Sequence, residues 1–178
     1  MPKRPIVTVP NTVLTNKTEY VKEIDSGILE LARDLKDTLD SAKEPEGAGL
    51  AANQIGVNKR VCIVRNFIYT SRAPKGYLTE DFILINPKIV YKSSELDTDW
   101  EGCLSVPDKY GKVARNLKIK VEAQTLDGQT IQITARDLFA RVIQHEIDHL
   151  DGILFLSKVS GKVISEAELD KILEEEGQ

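Results

Sequence analysis

The two histidines of the chain, His145 and His149, lie four residues apart with Glu146 between them. Side chains at this spacing share one face of a helix, so both imidazoles can direct a nitrogen at one metal ion, which is the physical basis of the H-E-x-x-H pattern. A helical projection also places Glu146 in the apolar arc of this segment, with Arg141 and Gln144 on the polar face. A buried carboxylate there costs several kcal/mol unless a cation lies beside it. The pattern therefore predicts a metal-binding helix, although hydrogen bonds alone could also satisfy these three side chains.

A catalytic metal needs about three protein ligands and one open position, and the remaining candidate ligands of suitable softness are cysteines. Cys62 lies among β-branched residues in R-V-C-I-V-R, where a free cysteine is typically a small buried hydrophobe. Cys103 follows Gly102, which permits a close approach or an unusual backbone conformation, and Pro107 is expected to stop regular strand pairing soon afterwards. Cys103 is therefore the better candidate, although a G-C-L segment on its own is more often structural.

The segment G-A-G-L-A-A-N-Q, residues 47–54, matches the dinucleotide pattern G-x-G-x-x-G/A through Gly47, Gly49 and Ala52. That pattern indicates nucleotide binding only where a strand precedes it and a helix follows, whereas this chain passes from a helix and a loop into a strand. The alternative is that the small residues let the bare backbone lie against a substrate. Gln54 would then donate a side-chain hydrogen bond to an oxyanion.

Hydrophobic periodicity indicates the elements that must position these residues. The pattern predicts helices over 27–41 and 136–150, strands over 60–65, 82–91, 117–123 and 131–133, a long loop over 66–77 and a hairpin turn at Asp127-Gly128. Proline and glycine within 42–49 are expected to break the helical pattern after the first helix. Because the strands cluster before a helix rather than alternating with helices, we expect an α+β fold in which antiparallel strands pack around a central metal-binding helix.

Composition and charge limit the class of protein. A chain of 178 residues, of which 41% are hydrophobic and 29% charged, is expected to form a single domain over 1–178. Its net charge of −4 gives no general basic field for nucleic acid or anionic lipid. The sequence has no signal-type apolar region and no apolar run of about 18 residues, so we expect a cytoplasmic protein without membrane contact.

Three segments, in this order, resemble the signature motifs of peptide deformylases. The pattern G-x-G-x-A-A-x-Q is met by residues 47–54, E-G-C-L-S by 101–105 and Q-H-E-x-D-H by 144–149. The likeness extends over about residues 5–158. It implies a metal-dependent hydrolase that removes the formyl group from the N-terminal formylmethionine of newly synthesised proteins and releases formate.

The resemblance also implies a ligand set and a mechanism. Cys103, His145 and His149 would hold one divalent metal ion, Fe(II) by family resemblance, with Zn, Ni or Co as substitutes. A water molecule would complete the set and act as the nucleophile, with a pKa that the metal lowers. Glu146 would take the proton of this water and then deliver it to the departing amine.

The remaining roles that the resemblance implies concern the oxyanion and the peptide. The side-chain amide of Gln54 and the backbone N–H of Leu104 would stabilise the oxyanion. The bare backbone would bind the substrate, which is an N-formylmethionyl peptide or nascent chain, at the small residues Gly47, Ala48, Gly49 and Gly102. The methionine side chain would enter an apolar pocket formed partly by Leu138 and Val142.

The C-terminal segment 165–178 is expected to be a short helix with an acidic tail. Ser165 and Glu168 form a capping box at its start. The helix is expected to pack three apolar side chains onto the domain, those of Leu169, Ile172 and Leu173. Transient ribosome contact is expected of an enzyme that acts on nascent chains, but this segment has one lysine against six acidic residues. Direct binding to RNA is therefore not favoured, because it requires basic residues that displace counterions.

Two other classes of protein remain open on the residues alone. An ordinary zinc peptidase would share H-E-x-x-H and would cleave unformylated peptides. A metal-binding module without catalysis would need a fourth protein ligand to close the site, and Cys62 is the candidate.

Overall fold

The computed structural model describes residues 4–42 and 46–177 and shows a mixed α/β fold. Three α-helices lie within these residues: α1 (Ser26–Ser41), α2 (Asp137–Leu150) and α3 (Glu166–Glu176). The predictions of an N-terminal helix, the H-E-x-x-H helix and a short C-terminal helix are confirmed as secondary structure. The predicted break within 42–49 falls partly outside the described residues.

Seven strands lie in two antiparallel sheets within the same part of the chain. The larger sheet has the order β1-β2-β3-β6-β7 and contains β1 (Gly49–Ala51), β2 (Val61–Tyr69), β3 (Tyr77–Lys92), β6 (Lys118–Gln124) and β7 (Thr130–Arg136). The smaller sheet pairs β4 (Leu96–Cys103) with β5 (Val106–Asn116). The predicted hairpin of β6 and β7 is confirmed, and Gly128 in its turn has a positive φ of 80°.

Helices cover both faces of the larger sheet. Successive side chains of β2 point to opposite faces, so Val61 and Ile63 pack with α1, whereas Cys62 and Val64 pack with α2. The continuous apolar run of this strand is explained by burial on both sides. The prediction that Cys62 is a core residue is confirmed, because its side chain is fully buried.

α2 lies between the two sheets, in contact with β1 and β2 on one side and with β5 on the other. The helical projection assigns Arg141 and Gln144 to the polar face, which is normally the solvent side, yet both side chains are buried. The smaller sheet covers that face and satisfies its polar groups. The side-chain amide of Gln144, for example, accepts from the backbone N–H of Asn116 at 3.1 Å and donates to its carbonyl at 3.0 Å.

The predicted loop over 66–77 is wrong. β2 and β3 continue through this region as the arms of a hairpin, paired as far as Tyr69 and Tyr77, and the turn is confined to 70–76. The rings of Phe67 and Tyr69 meet that of Tyr77 edge to face, with centroids 5.4 and 6.1 Å apart. Cross-strand aromatic pairs of this kind stabilise the arms, and they join residues that a local pattern does not relate.

The effect expected of Pro107 is confirmed only in part. Cys103 pairs with Val106 across a tight turn, and the next pair joins Glu101 to Gly111, so regular pairing is interrupted over 107–110. Pairing then resumes and continues to the end of β5, because the proline lies within an irregularity of the ladder rather than in a regular position.

The capping box at Ser165 and Glu168 is confirmed: the Glu168 carboxylate accepts from the Ser165 N–H at 2.9 Å, and the Ser165 hydroxyl accepts from the Glu168 N–H. Leu169 is buried, but Leu173 is 50% exposed, so the expected packing of Leu173 is wrong. The helix contacts the domain mainly through its first turns. No helix in the described part of the chain is both long and apolar enough to span a membrane.

Candidate active site

Three side chains from two elements converge at the end of the smaller sheet. Cys103 ends β4, and α2 presents His145 and His149 one turn apart. The Cys103 Sγ lies 3.1 Å from the Nε2 of His149, which lies 3.2 Å from the Nε2 of His145. All three atoms lie within 4.8 Å of one another. One thiolate and two imidazole nitrogens so arranged fit a single divalent cation.

A carboxylate behind the site orients one imidazole. The Nδ1 of His145 lies 3.0 Å from the Oε2 of Glu101, so the Nδ1–H donates to Glu101 and the Nε2 faces the site. Burial disfavours the charge of Glu101, but hydrogen bonds from Arg115 and His145 outweigh it and hold the pKa of that carboxyl well below its ordinary value. Burial and His145 lower the pKa of His149, which therefore keeps a neutral imidazole.

Glu146 lies beside this set on α2 and is 3% exposed. Its Oε2 is buried and has no hydrogen-bond partner among the described residues. Burial raises the pKa of Glu146 to about 7, although the neighbouring His145 opposes the shift. A carboxyl with a pKa near neutrality can both accept and donate a proton under ordinary conditions.

The close approach of Glu146 to β1 explains one glycine of the first motif. A Cβ built on Gly49 would lie 2.5 Å from the Oε1 of Glu146 and 2.8 Å from its carboxyl carbon. Any larger residue would therefore displace the carboxyl group. Gly49 has this steric role in addition to the backbone contact expected of it.

Gln54 lies in the short 3-10 helix that follows β1 and is almost fully buried. Its Oε1 accepts from the Ala51 N–H at 2.8 Å, which fixes the direction of the amide. Its Nε2 lies 3.2 Å from the Ser105 Oγ and 3.5 Å from the Cys103 Sγ, so the amide N–H groups are directed toward the site. Leu104 lies in the turn between β4 and β5, between Cys103 and Ser105 in the sequence.

A cavity of about 460 Å³ opens onto these groups. Its walls include all six residues that the sequence assigns to the substrate, namely Gly47, Ala48, Gly49, Gly102, Leu138 and Val142. They also include the three residues assigned to catalysis, Gln54, Leu104 and Glu146. Of the three candidate ligands, Cys103 and His145 line the cavity, whereas His149 lies buried beneath them.

Some contributors to the site were not assigned from the sequence. Glu101 and Ser105 belong to the second motif, but their contacts to His145 and Gln54 depend on the fold. The ring of Tyr110 packs against Gly102, where an added Cβ would overlap a ring carbon, and Glu166 of α3 also lines the cavity. The signal that could have identified Glu101 and Ser105 is their position at the two ends of E-G-C-L-S, two residues on either side of Cys103.

Taken together, an α/β domain with a Cys-His-His set, an adjacent buried carboxyl and a substrate-sized cavity defines a metal-dependent hydrolase. The family model for polypeptide deformylases matches residues 3–164. The chain belongs to this family of metalloenzymes, which act in protein N-terminal processing by removing the N-formyl group from nascent peptides.

Two relatives align with this chain over most of their length. The peptide deformylase of Thermomicrobium roseum is 40% identical over 167 residues, covering 91% of this chain and 89% of the relative. That of Desulfitobacterium hafniense is 44% identical over 153 residues, covering 86% and 92%.

Solved structures show the same fold. The Met-Ala-Ser-bound class I type b peptide deformylase of Acinetobacter baumannii superposes with a TM-score of 0.78 at 33% identity, covering 89% of this chain and 99% of that one. The Synechococcus elongatus peptide deformylase in complex with actinonin gives 0.77 at 32% identity, covering 99% and 87%.

Proposed function

We propose that this site hydrolyses the formyl amide of N-formylmethionine at the start of nascent chains and releases formate. The observation that carries the proposal is the unpaired buried carboxyl of Glu146 beside a convergent Cys-His-His set. The bound Met-Ala-Ser tripeptide of the Acinetobacter baumannii relative supports a peptide that begins with methionine.

The residues that would hold the metal are Cys103 at the end of β4 and His145 and His149 on α2, and side-chain hydrogen bonds to Glu101 join these two elements. A divalent ion bound there would polarise the formyl carbonyl and lower the pKa of water. The donor set suits Fe(II), Zn, Ni and Co alike, and family resemblance favours Fe(II). Glu101 orients His145, and the backbone N–H of Ser105, 3.4 Å from the Cys103 Sγ, stabilises the thiolate.

Glu146 moves the proton. Its free Oε2 accepts a proton from the attacking water, and the same oxygen then donates it to the departing methionine nitrogen. A carboxyl with a pKa of about 7 is suited to both halves of this cycle. No covalent intermediate with the chain is needed.

Gln54 and Leu104 stabilise the negative charge that develops on the formyl oxygen. The Gln54 amide is held by the Ala51 N–H before the substrate arrives, so no reorganisation is needed when charge develops. Leu104 lies in the tight turn that follows Cys103, and its backbone N–H is the second donor. Removal of one such donor typically costs about 3–4 kcal/mol in the transition state.

The substrate lies along the cavity. The methionine side chain packs against Val142 and Leu138 on α2, and the peptide backbone binds at the small residues 47–49 and at Gly102. Nascent chains are the natural partners, and the whole chain acts as one catalytic domain in the cytoplasm. Contact with the ribosome is transient and does not use the acidic C-terminal helix, since nothing in its charge favours direct RNA binding.

Replacement of Glu146 tests this function. Glu146→Gln is expected to keep the bound metal, measured by elemental analysis of protein purified without oxygen, while kcat for formyl-Met-Ala falls by about two to four orders of magnitude. Glu122→Gln, at an exposed position of β6, is the control and should turn over at the rate of the unmodified chain. Near-normal activity of Glu146→Gln would remove this residue from the mechanism, and efficient cleavage of unformylated Met-Ala by the unmodified chain would favour the zinc peptidase.

A further inference from the structure

We propose that Arg141 is a positioning residue for the metal ligands, which it holds in register by fixing Glu101 and so joining α2 to β4. The inference rests on the proposed metal site. It concerns a residue that the helical projection assigns to a polar face and that has no part in the proton transfer.

Arg141 is 6% exposed, and its two terminal nitrogens make four hydrogen bonds. Its Nη1 donates to the Oε1 of Glu101 and to the carbonyl of Val113, each at 2.8 Å. Its Nη2 donates to the carbonyl of Asp97 at 2.8 Å and to its carboxylate at 3.0 Å. One side chain of α2 therefore contacts β4 at two positions and β5 at one.

These contacts complete the hydrogen bonding of Glu101. The Oε1 accepts from the Nε of Arg115 and the Nη1 of Arg141, and the Oε2 accepts from the Nη2 of Arg115 and the Nδ1–H of His145. Each oxygen thus has two donors, which is its capacity. Without Arg141 the carboxylate would keep a single arginine and could rotate away from the His145 ring.

The same bond controls the separation of the two halves of the site. Glu101 and Cys103 lie two residues apart on β4, whereas Arg141 and His145 lie one turn apart on α2. The Arg141–Glu101 ion pair therefore joins the two elements that carry the sulfur and imidazole ligands. A looser junction would widen the spread of ligand distances and weaken metal binding.

Arg60 provides a matched control. It is also buried, and it donates to a carbonyl, that of Pro87, and to the carboxylate of Asp151. Its hydrogen bonds within the described part of the chain include none to Glu101 or to the three candidate ligands. Loss of Arg60 should therefore reproduce the folding cost of removing a buried arginine without the effect on metal binding.

The test measures zinc transfer from the loaded full-length chain to a chelating dye. Arg141→Gln is expected to raise the dissociation constant for zinc by about 10–100-fold, the range for residues that support a metal ligand, whereas Arg60→Gln should change it by less than about threefold. Arg141→Lys keeps the positive charge but not the planar guanidinium with its several donors, so its dissociation constant for zinc should lie between those of Arg141→Gln and the unmodified chain. This variant replaces Arg141→Gln if Arg141→Gln does not fold. Equal dissociation constants for the two glutamine variants, or unmodified affinity in Arg141→Lys, would overturn the inference.

A double-mutant cycle tests the route through Glu101. In a Glu101→Gln background, the further change Arg141→Gln should weaken zinc binding by less than about threefold, because its partner is already altered. A full second loss would show that Arg141 acts elsewhere and would also overturn the inference. If the unmodified chain neither retains zinc nor deformylates formyl-Met-Ala, the proposed function itself fails, which is a separate result.

Discussion

At the scale of single residues, environment distinguishes the two cysteines. Cys62 is fully buried in β2, and burial raises the pKa of its thiol well above the ordinary value, so it behaves as a small apolar side chain. Cys103 lies at the cavity, with its sulfur near two N–H donors and an imidazole. The same residue type is therefore inert in one place and a candidate ligand in the other.

Serine substitution should separate these roles. Cys103→Ser is expected to lose deformylation and most of its zinc, because a hydroxyl is a much poorer ligand than a thiolate. Cys62→Ser is expected to lower the free energy of unfolding by about 1–3 kcal/mol through burial of an unpaired hydroxyl, with zinc content unchanged. Metal content by elemental analysis and urea denaturation provide the two measurements. The opposite pattern would show that the ligand set is wrong.

The residues of the site could be named from the sequence because their chemistry is local. Glu146, His145 and His149 are related by helical spacing, and Gln54 and Cys103 lie in short segments of unusual composition. Glu101 and Arg141 could not be assigned in the same way. Their roles depend on contacts between β4 and α2, which lie about 40 residues apart in sequence, and no local periodicity reports such contacts.

At the scale of elements, the helices were predictable because their apolar residues recur at helical spacing. The β6–β7 hairpin was predictable because its apolar residues alternate and a turn signal separates its strands. The smaller sheet was not predicted. β4 reads L-D-T-D-W-E-G-C, of which the first four residues are exposed, and its stability comes from pairing with β5 rather than from an apolar face. The arms of the β2–β3 hairpin escaped prediction for a similar reason, since aromatic pairs across the strands stabilise them.

The C-terminal helix provides a prediction at this scale. Leu169 anchors its first turns, whereas the last turn is exposed and acidic. Deletion of residues 174–178 is therefore expected to leave kcat/KM for formyl-Met-Ala and co-sedimentation with ribosomes unchanged at physiological salt. Leu169→Ala, which removes the anchor itself, should lower the midpoint of thermal unfolding. Loss of co-sedimentation with intact activity in the deletion variant would identify the tail as a docking element.

At the scale of the whole molecule, buried arginines join elements that are distant in sequence. Arg60, Arg65, Arg115 and Arg141 are all at least nine-tenths buried and paired with carboxylates. Arg65 of β2 bonds Asp81 of β3 through its Nε at 2.7 Å and its Nη2 at 2.9 Å, and it also bonds Asp40 of α1. This cluster joins β2 to β3 and to α1.

The Arg65 cluster should make stability depend on pH. The hydrogen bonds from Arg65 lower the pKa of Asp81 and outweigh the opposing effect of burial. A lowered pKa contributes stability that is present above the unfolded value, about 3.9, and is lost as pH falls through the folded value. Asp81→Asn is expected to lower the free energy of unfolding by about 1–3 kcal/mol at pH 7, and the difference should shrink as pH falls below 4.

Urea denaturation of both proteins at pH 7 and at about pH 3 measures this difference. Glu122→Gln, an exposed carboxylate, serves again as the control and should show no such pH dependence. A destabilisation by Asp81→Asn that is the same at both pH values would show that the aspartate acts through packing rather than charge.

The unpaired carboxyl of Glu146 has a consequence for how this protein can be improved. Its Oε2 is buried without a hydrogen-bond partner among the described residues, and burial of such a polar atom costs folding free energy. Selection for thermal stability alone is therefore expected to accept replacements of this glutamate that leave the protein more stable but inactive. Directed evolution of this scaffold must therefore screen for turnover in every round, and stabilising changes should be sought far from α2.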